Sequence, residues 1–214
     1  MTRLRTTLLT TAALIALAAL PAHATTILTM GQVGDADTIH ATANGAGTST
    51  TIFGTGIGID ITQIDAAVAV PKSASLTLLA TSVGAASTVA GHVTQAFDGT
   101  FSIRAGLTNY LSGSFTDAVF GIGDSLSLTA ADPPESVSFN SGVIAADLLG
   151  KPEGLSLSFI DVTPGAGIDG TTLASFASSI AGNFSASPVP EPATLALLGV
   201  GLAGLGFIRR RSAT

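Results

Sequence analysis

Leu155-Ser156-Leu157-Ser158-Phe159 decides the fold. Apolar and hydroxyl side chains alternate there residue by residue, and an extended strand puts the two sets on opposite faces. The same period returns at Ser75-Leu76-Thr77-Leu78, Thr100-Phe101-Ser102-Ile103, Ser125-Leu126-Ser127-Leu128-Thr129 and Ser136-Val137-Ser138-Phe139. Each predicts a half-buried strand with its hydroxyls outward. Turn chemistry separates them: Asp98-Gly99, Gly121 to Asp124, Asp132-Pro133-Pro134, Lys151-Pro152-Glu153-Gly154, and Pro164-Gly165 through Asp169-Gly170. Thr172 to Ile180 reads as a last strand, and Ser185 to Pro188 as a short polar linker. Gly31 to Gly58 is rich in Gly, Thr and Asn and poor in large apolar groups, and reads as a loose edge or a partly disordered arm. Many short, punctuated strands predict a mainly β domain, an antiparallel sandwich or jelly-roll.

Composition agrees. The chain has 214 residues, enough for one domain with its own core. It is 46% hydrophobic but only 10% charged, against about 25% charged in an ordinary domain. Residues 25–190 hold three basic side chains, Lys72, Arg104 and Lys151, against 13 acidic ones. So acidic a surface repels phosphate backbones and argues against nucleic acid as a partner. There is no cysteine, so disulfides, thiolate catalysis and Cys-based zinc sites are excluded.

The amino-terminal end reads as a signal peptide, residues 1–24. Arg3 and Arg5 form a positive start, an apolar run follows from Leu8 to Leu20, Pro21 breaks it, and Ala22-His23-Ala24 is a small-x-small cleavage site. Signal peptidase is the implied partner, with cleavage after Ala24 and a mature chain starting at Thr25. An exported domain follows over residues 25–187.

The carboxy-terminal end, residues 188–214, has three parts. Val189-Pro190-Glu191-Pro192 leads into an apolar, Gly-containing run from Leu195 to Ile208, and Arg209-Arg210-Arg211 closes it. Pro192 suits the first turn of a helix, Glu191 suits its positive end and the arginines its negative end. Residues 192–211 as a helix span roughly 30 Å at about 1.5 Å per residue, the thickness of a bilayer core. The arginines belong on the cytoplasmic side. The domain then lies on the periplasmic side of the inner membrane, the topology the amino-terminal end also predicts.

This tail resembles the PEP-CTERM sorting signal of exported proteins from Gram-negative bacteria that make biofilm or exopolysaccharide. The resemblance puts the family's Pro-Glu-Pro at Pro190, Glu191 and Pro192. It implies recognition and processing by an exosortase, an integral-membrane cysteine transpeptidase, and a final place at the cell surface or in the extracellular matrix. Thr108-Asn109-Tyr110-Leu111-Ser112-Gly113 and Pro152-Glu153-Gly154-Leu155-Ser156-Leu157-Ser158 are similar to the bodies of small proteins with this tail, which have no assigned activity.

Catalytic constellations are missing from the sequence. Gly-x-Ser-x-Gly is absent, and the Gly-rich stretch Gly54 to Gly58 lacks the lysine of a phosphate-binding loop. Asp35, Asp37 and Asn44, and separately Asp161 and Asp169, offer oxygen ligands of the type calcium uses, but no complete loop motif surrounds them. His40 and His92 lack metal-ligand spacing. The expectation is a non-catalytic envelope or matrix protein, without a cofactor and with exopolysaccharide as a possible neighbour. The alternatives are a carbohydrate- or calcium-binding adhesin module, which the absence of Trp and the single Tyr110 disfavour, and a secreted enzyme.

Overall fold

The computed structural model describes residues 24–34, 36, 38–121 and 126–187. They form β1 (Thr25–Gln32), β2 (Ile39–Ala43), β3 (Thr50–Ile64), β4 (Lys72–Ser82), β5 (Ser87–Val89), β6 (His92–Ala105) and β7 (Thr108–Phe120). Then come β8 (Ser127–Ala131), β9 (Ser136–Asn140), β10 (Gly150–Thr163), β11 (Ile168–Asp169), β12 (Thr172–Leu173) and β13 (Phe176–Ser187), with a 3-10 turn at Ala146–Leu148. The predicted mainly β, antiparallel character is what the structure shows. The predicted signal and membrane helices lie outside the described residues, and among the described residues no helix is long and apolar enough to cross a membrane.

Neither two stacked sheets nor a jelly-roll describes the strand order. Each long strand pairs with the next one in the chain: β1 with β3, then β4, β6, β7, β8, β10 and β13, and β13 returns to β1. Every pairing is antiparallel, so eight staves close into an up-and-down, barrel-like sheet. Two staves are made of two pieces. β2 continues the stave of β1 between β13 and β3, and β9 continues that of β8 along β7. Closure leaves few unpaired edges: β5 pairs only with β6, and β9 only with β7.

An eight-stranded barrel is just wide enough inside for side chains to fill it. Leu76, Leu78 and Ala80 of β4, Phe101 and Ile103 of β6, and Leu155, Leu157 and Phe159 of β10 all point inward and are buried. Phenylalanine supplies much of the volume. The Phe120 ring lies 5.5 Å from Phe159, 5.7 Å from Phe176 and 6.2 Å from Phe97, and Phe101 lies 4.8 Å from Phe184. Each such ring contributes about 1.5–3 kcal/mol by leaving water.

Four local expectations are corrected. Gly31 to Gly58 is not a loose arm: it contains β2 and the start of β3, and Ile39, Ile52 and Ile57 are core residues. Most of its threonines face outward, while Thr50 and Gly54 lie among the inward isoleucines, so low bulk hid a buried face. Asp98-Gly99 is not a turn but an irregularity inside β6, where the register against β7 shifts between Phe97 and Gly99. A Cβ on Gly99 would stand 2.5 Å from the Leu79 carbonyl oxygen and 2.6 Å from Phe115, so only glycine lets the strands close there. Lys151 to Gly154 belongs to β10, and Ser185 to Ser187 belongs to β13, with Ala186 and Ser187 buried.

The two ends of the barrel differ. Thr25, Ser187, Gly150, Ile64, Lys72 and the β6–β7 hairpin tip at Gly106-Leu107 meet at one end, here the terminal end. The opposite end is plugged by the β11–β12 hairpin, whose Thr172 and Leu173 are fully buried.

Candidate functional site

Two breaks in the backbone ladder gather the buried side chains of Thr50, Gln95, Thr172 and Glu153. The first is the seam between β9 and β10. Pro152 has no N–H to give, and the register of β10 against β13 shifts between Gly150 and Gly154. The side chains around Pro152 do the work of the missing ladder. Glu153 Oε1 accepts from the Phe139 N–H at 3.1 Å, and Lys151 Nζ donates to the Val137 carbonyl at 3.3 Å and pairs with Asp132. The Asp132 N–H donates to the Glu153 carbonyl at 2.9 Å. Glu153 is 4% exposed. Burial pushes its carboxyl above the ordinary value of 4.5, while the Phe139 N–H and the Lys151 charge pull the other way.

The second break is the plug. Gln95 Oε1 accepts from the Leu173 N–H at 2.9 Å, and its Nε2 donates to the Gly84 carbonyl at 2.8 Å and to Thr172 Oγ1 at 3.0 Å. Thr172 and Thr50 hydroxyls meet at 2.7 Å, and Thr50 Oγ1 also reaches the Leu173 carbonyl. Gly47 and Gly170 touch where the hairpin crosses the β2–β3 loop: Gly170 has φ +62°, and a Cβ on it would lie 2.5 Å from the Gly47 oxygen. Neither break holds a nucleophile beside a base. Both are fasteners.

Two shallow grooves lie on the outer wall. One, of about 560 Å³, runs across β1, β13, β10 and β8 and presents Thr26, Thr129, Glu135, Ser156, Asn183 and Ser185. The other, of about 500 Å³, lies between His40, Phe53, Pro164 and Phe176, with the His40 and Phe53 rings 5.8 Å apart.

The residues singled out by sequence are dispersed. Pro190, Glu191, Pro192, Arg209, Arg210, Arg211, Ala22, Asp35 and Asp37 lie outside the described residues. Ala24 immediately precedes β1. Asn44 is spent on its own hairpin: its Oδ1 accepts from the N–H groups of Thr48 and Ser49 at 2.8 and 3.3 Å. Asp161 and Asp169 are exposed. Among the described residues no group of three or more His, Cys, Asp or Glu side chains is placed to hold a metal ion. The sequence reading overlooked Glu153 and Gln95. Gln95 had a signal, since it shares the inward parity of Phe97. Glu153 was concealed by the turn chemistry around it.

Residues 188–211 match the PEP-CTERM protein-sorting motif. This begins directly after Ser187, the last residue of β13. The motif implies an exported protein that is sorted and processed through an exosortase. No curated protein matches the chain, and no solved structure does.

Proposed function

We propose that this chain is a non-catalytic cell-envelope or extracellular-matrix protein whose barrel is cargo for the sorting tail. It is exported after removal of residues 1–24, held on the periplasmic side of the inner membrane by residues 192–211, and released to the cell surface or matrix when an exosortase processes the tail. The observation that carries the reading is the sorting motif at residues 188–211. Support comes from the barrel itself. Its interior is occupied by phenylalanine and aliphatic side chains, and its buried carboxylate, Glu153, is tied to the β9 backbone instead of opening on a cleft.

Glu191→Gln tests the proposal. The substitution removes a charge at nearly constant shape, and one interfacial charge at a helix end is worth at most about 1 kcal/mol. Membrane insertion therefore survives. In a host with its exosortase, the wild type loses its tail on gels and in cell fractions while Glu191→Gln keeps it. Equal processing of both makes the motif a spacer. A wild type that keeps its tail is a plain single-pass membrane protein, and the sorting role falls.

A further inference from the structure

We propose that the terminal end of the barrel lies against the lipid surface, with the Val70 and Leu107 tips entering the headgroup region and Lys72 and Arg104 beside them. The inference rests on the anchoring role proposed for residues 192–211 and adds an orientation and a lipid contact to it.

The tether is the first argument. β13 ends at Ser187, held in the wall by its pairing with Gly150. Five residue steps separate Ser187 from Pro192, the start of the predicted membrane helix. Fully extended, they reach at most about 18 Å at roughly 3.6 Å per residue. β6 alone has 14 residues, an extent of about 45 Å at roughly 3.3 Å each. The tether is too short to let the barrel turn its far end to the bilayer.

The second argument is the chemistry of that rim. β4 and β6 pair with Ser75 opposite Arg104. Lys72 opens β4 three residues before Ser75, and β6 runs one residue past Arg104 into the Gly106-Leu107 turn, so both lie beyond this pair toward the terminal end. Val70-Pro71-Lys72 and Arg104-Ala105-Gly106-Leu107 are therefore neighbours at the terminal end. Leu107 is 101% exposed and Val70 45%. Lys72 and Arg104 are exposed as well. Apolar tips flanked by cations suit an interface, where the tips leave water and the cations meet lipid phosphates. Asp60 lies one strand away, accepting the Ser73 hydroxyl at 2.9 Å, and Asp65 and Asp147 are exposed on other parts of the rim. Lys151, the third cation of residues 25–187, is engaged by Asp132 at the seam. The plugged end also exposes Val83, Val89 and Ile168, but none of the three cations stands there.

The chain has no tryptophan, so one introduced indole reports alone. The full mature chain carrying Leu107→Trp is reconstituted into vesicles of zwitterionic and anionic lipid with brominated acyl chains. Val89→Trp, on the β5–β6 hairpin at the plugged end, is the control. Emission at position 107 shifts to the blue and is quenched, and position 89 stays unquenched. Lys72→Glu with Arg104→Glu lowers the quenching at 107 without changing flotation of the vesicles, each cation being worth about fivefold in partitioning to an anionic leaflet. A chain that does not float with the vesicles overturns the anchoring role and this proposal with it. A chain that floats with 107 as unquenched as 89, or with both quenched alike, overturns this proposal alone. A blue shift in nonionic detergent that grows with protein concentration assigns the end to a second copy and also overturns it.

Discussion

The plug and the seam solve the same problem with different chemistry. At the plug, the neutral amide of Gln95 and the hydroxyls of Thr50 and Thr172 stand in for a missing ladder. At the seam, Glu153, Lys151 and Asp132 do so with charge. Neutral donors and acceptors can be sealed completely if every one is paired. A carboxylate resists burial, and Glu153 shows that resistance in its raised pKa. The plug is thus the more rigid fastener, and the seam is the one that responds to the medium.

Removing Gln95 is the most damaging test of that contrast. Gln95→Ala strands the buried Leu173 N–H, at about 1–3 kcal/mol, and takes a partner from the buried Thr172 hydroxyl. A loss of about 3 kcal/mol is expected in the denaturant midpoint, with thermal melting as a check. A loss under 1 kcal/mol would mean that the plug is an ornament on a self-sufficient barrel. Gly170→Ala attacks the same plug through the backbone. Positive φ costs an L-residue roughly 1–2 kcal/mol, and the approach to Gly47 adds to it, so a loss of about 2 kcal/mol is expected by the same measurement.

The seam is tested by pH. A carboxyl raised in the folded state binds more protons folded than unfolded between the two pKa values, so stability falls as pH rises through that window. The contribution of Glu153 is therefore fullest below its ordinary value of 4.5 and is lost above its folded value. Glu153→Gln keeps an acceptor for the Phe139 N–H and removes the titration. The difference in stability between wild type and variant, followed from pH 4 to 8 by urea melts, should move toward the variant as pH rises. A flat difference means that Lys151 fully offsets the burial. The smallest effect is calcium. With Asn44 committed to its hairpin, submillimolar calcium should leave Tm unchanged, and a rise of many degrees would favour the adhesin alternative by mass action.

Much of the strand content was legible because period two is local. Ser75 to Leu78, Thr100 to Ile103, Ser136 to Phe139 and Leu155 to Phe159 all became strands with the expected face inward. Ile57-Gly58-Ile59-Asp60-Ile61 carries the same period, but its outward glycine weakened the signal. Lys151-Pro152-Glu153-Gly154 misled because proline and glycine usually end a strand, whereas here they mark a stretch that gives up its ladder and stays in the wall. Closure into a barrel was not legible, since the pairing of β13 with β1 joins residues some 160 apart in sequence and no local pattern encodes it. The candidate site divides the same way. The sorting tail is contiguous and readable, whereas the fastener at Gln95 depends on partners far along the chain and that at Glu153 on a neighbouring strand.

That last pairing also sets a timetable. β13 joins β1, β2 and β10 and is the strand nearest the sorting motif. A chain threaded outward amino-terminus first delivers β1 early and β13 last. Until β13 emerges, the edges of β1 and β10 have no partner, and exposed edges of this kind are where chains stick to one another. The barrel can become whole only once the residues just before the sorting motif have emerged. Completion of folding and exposure of the sorting signal therefore fall close together in time, and the open edges are at risk only in the interval before them.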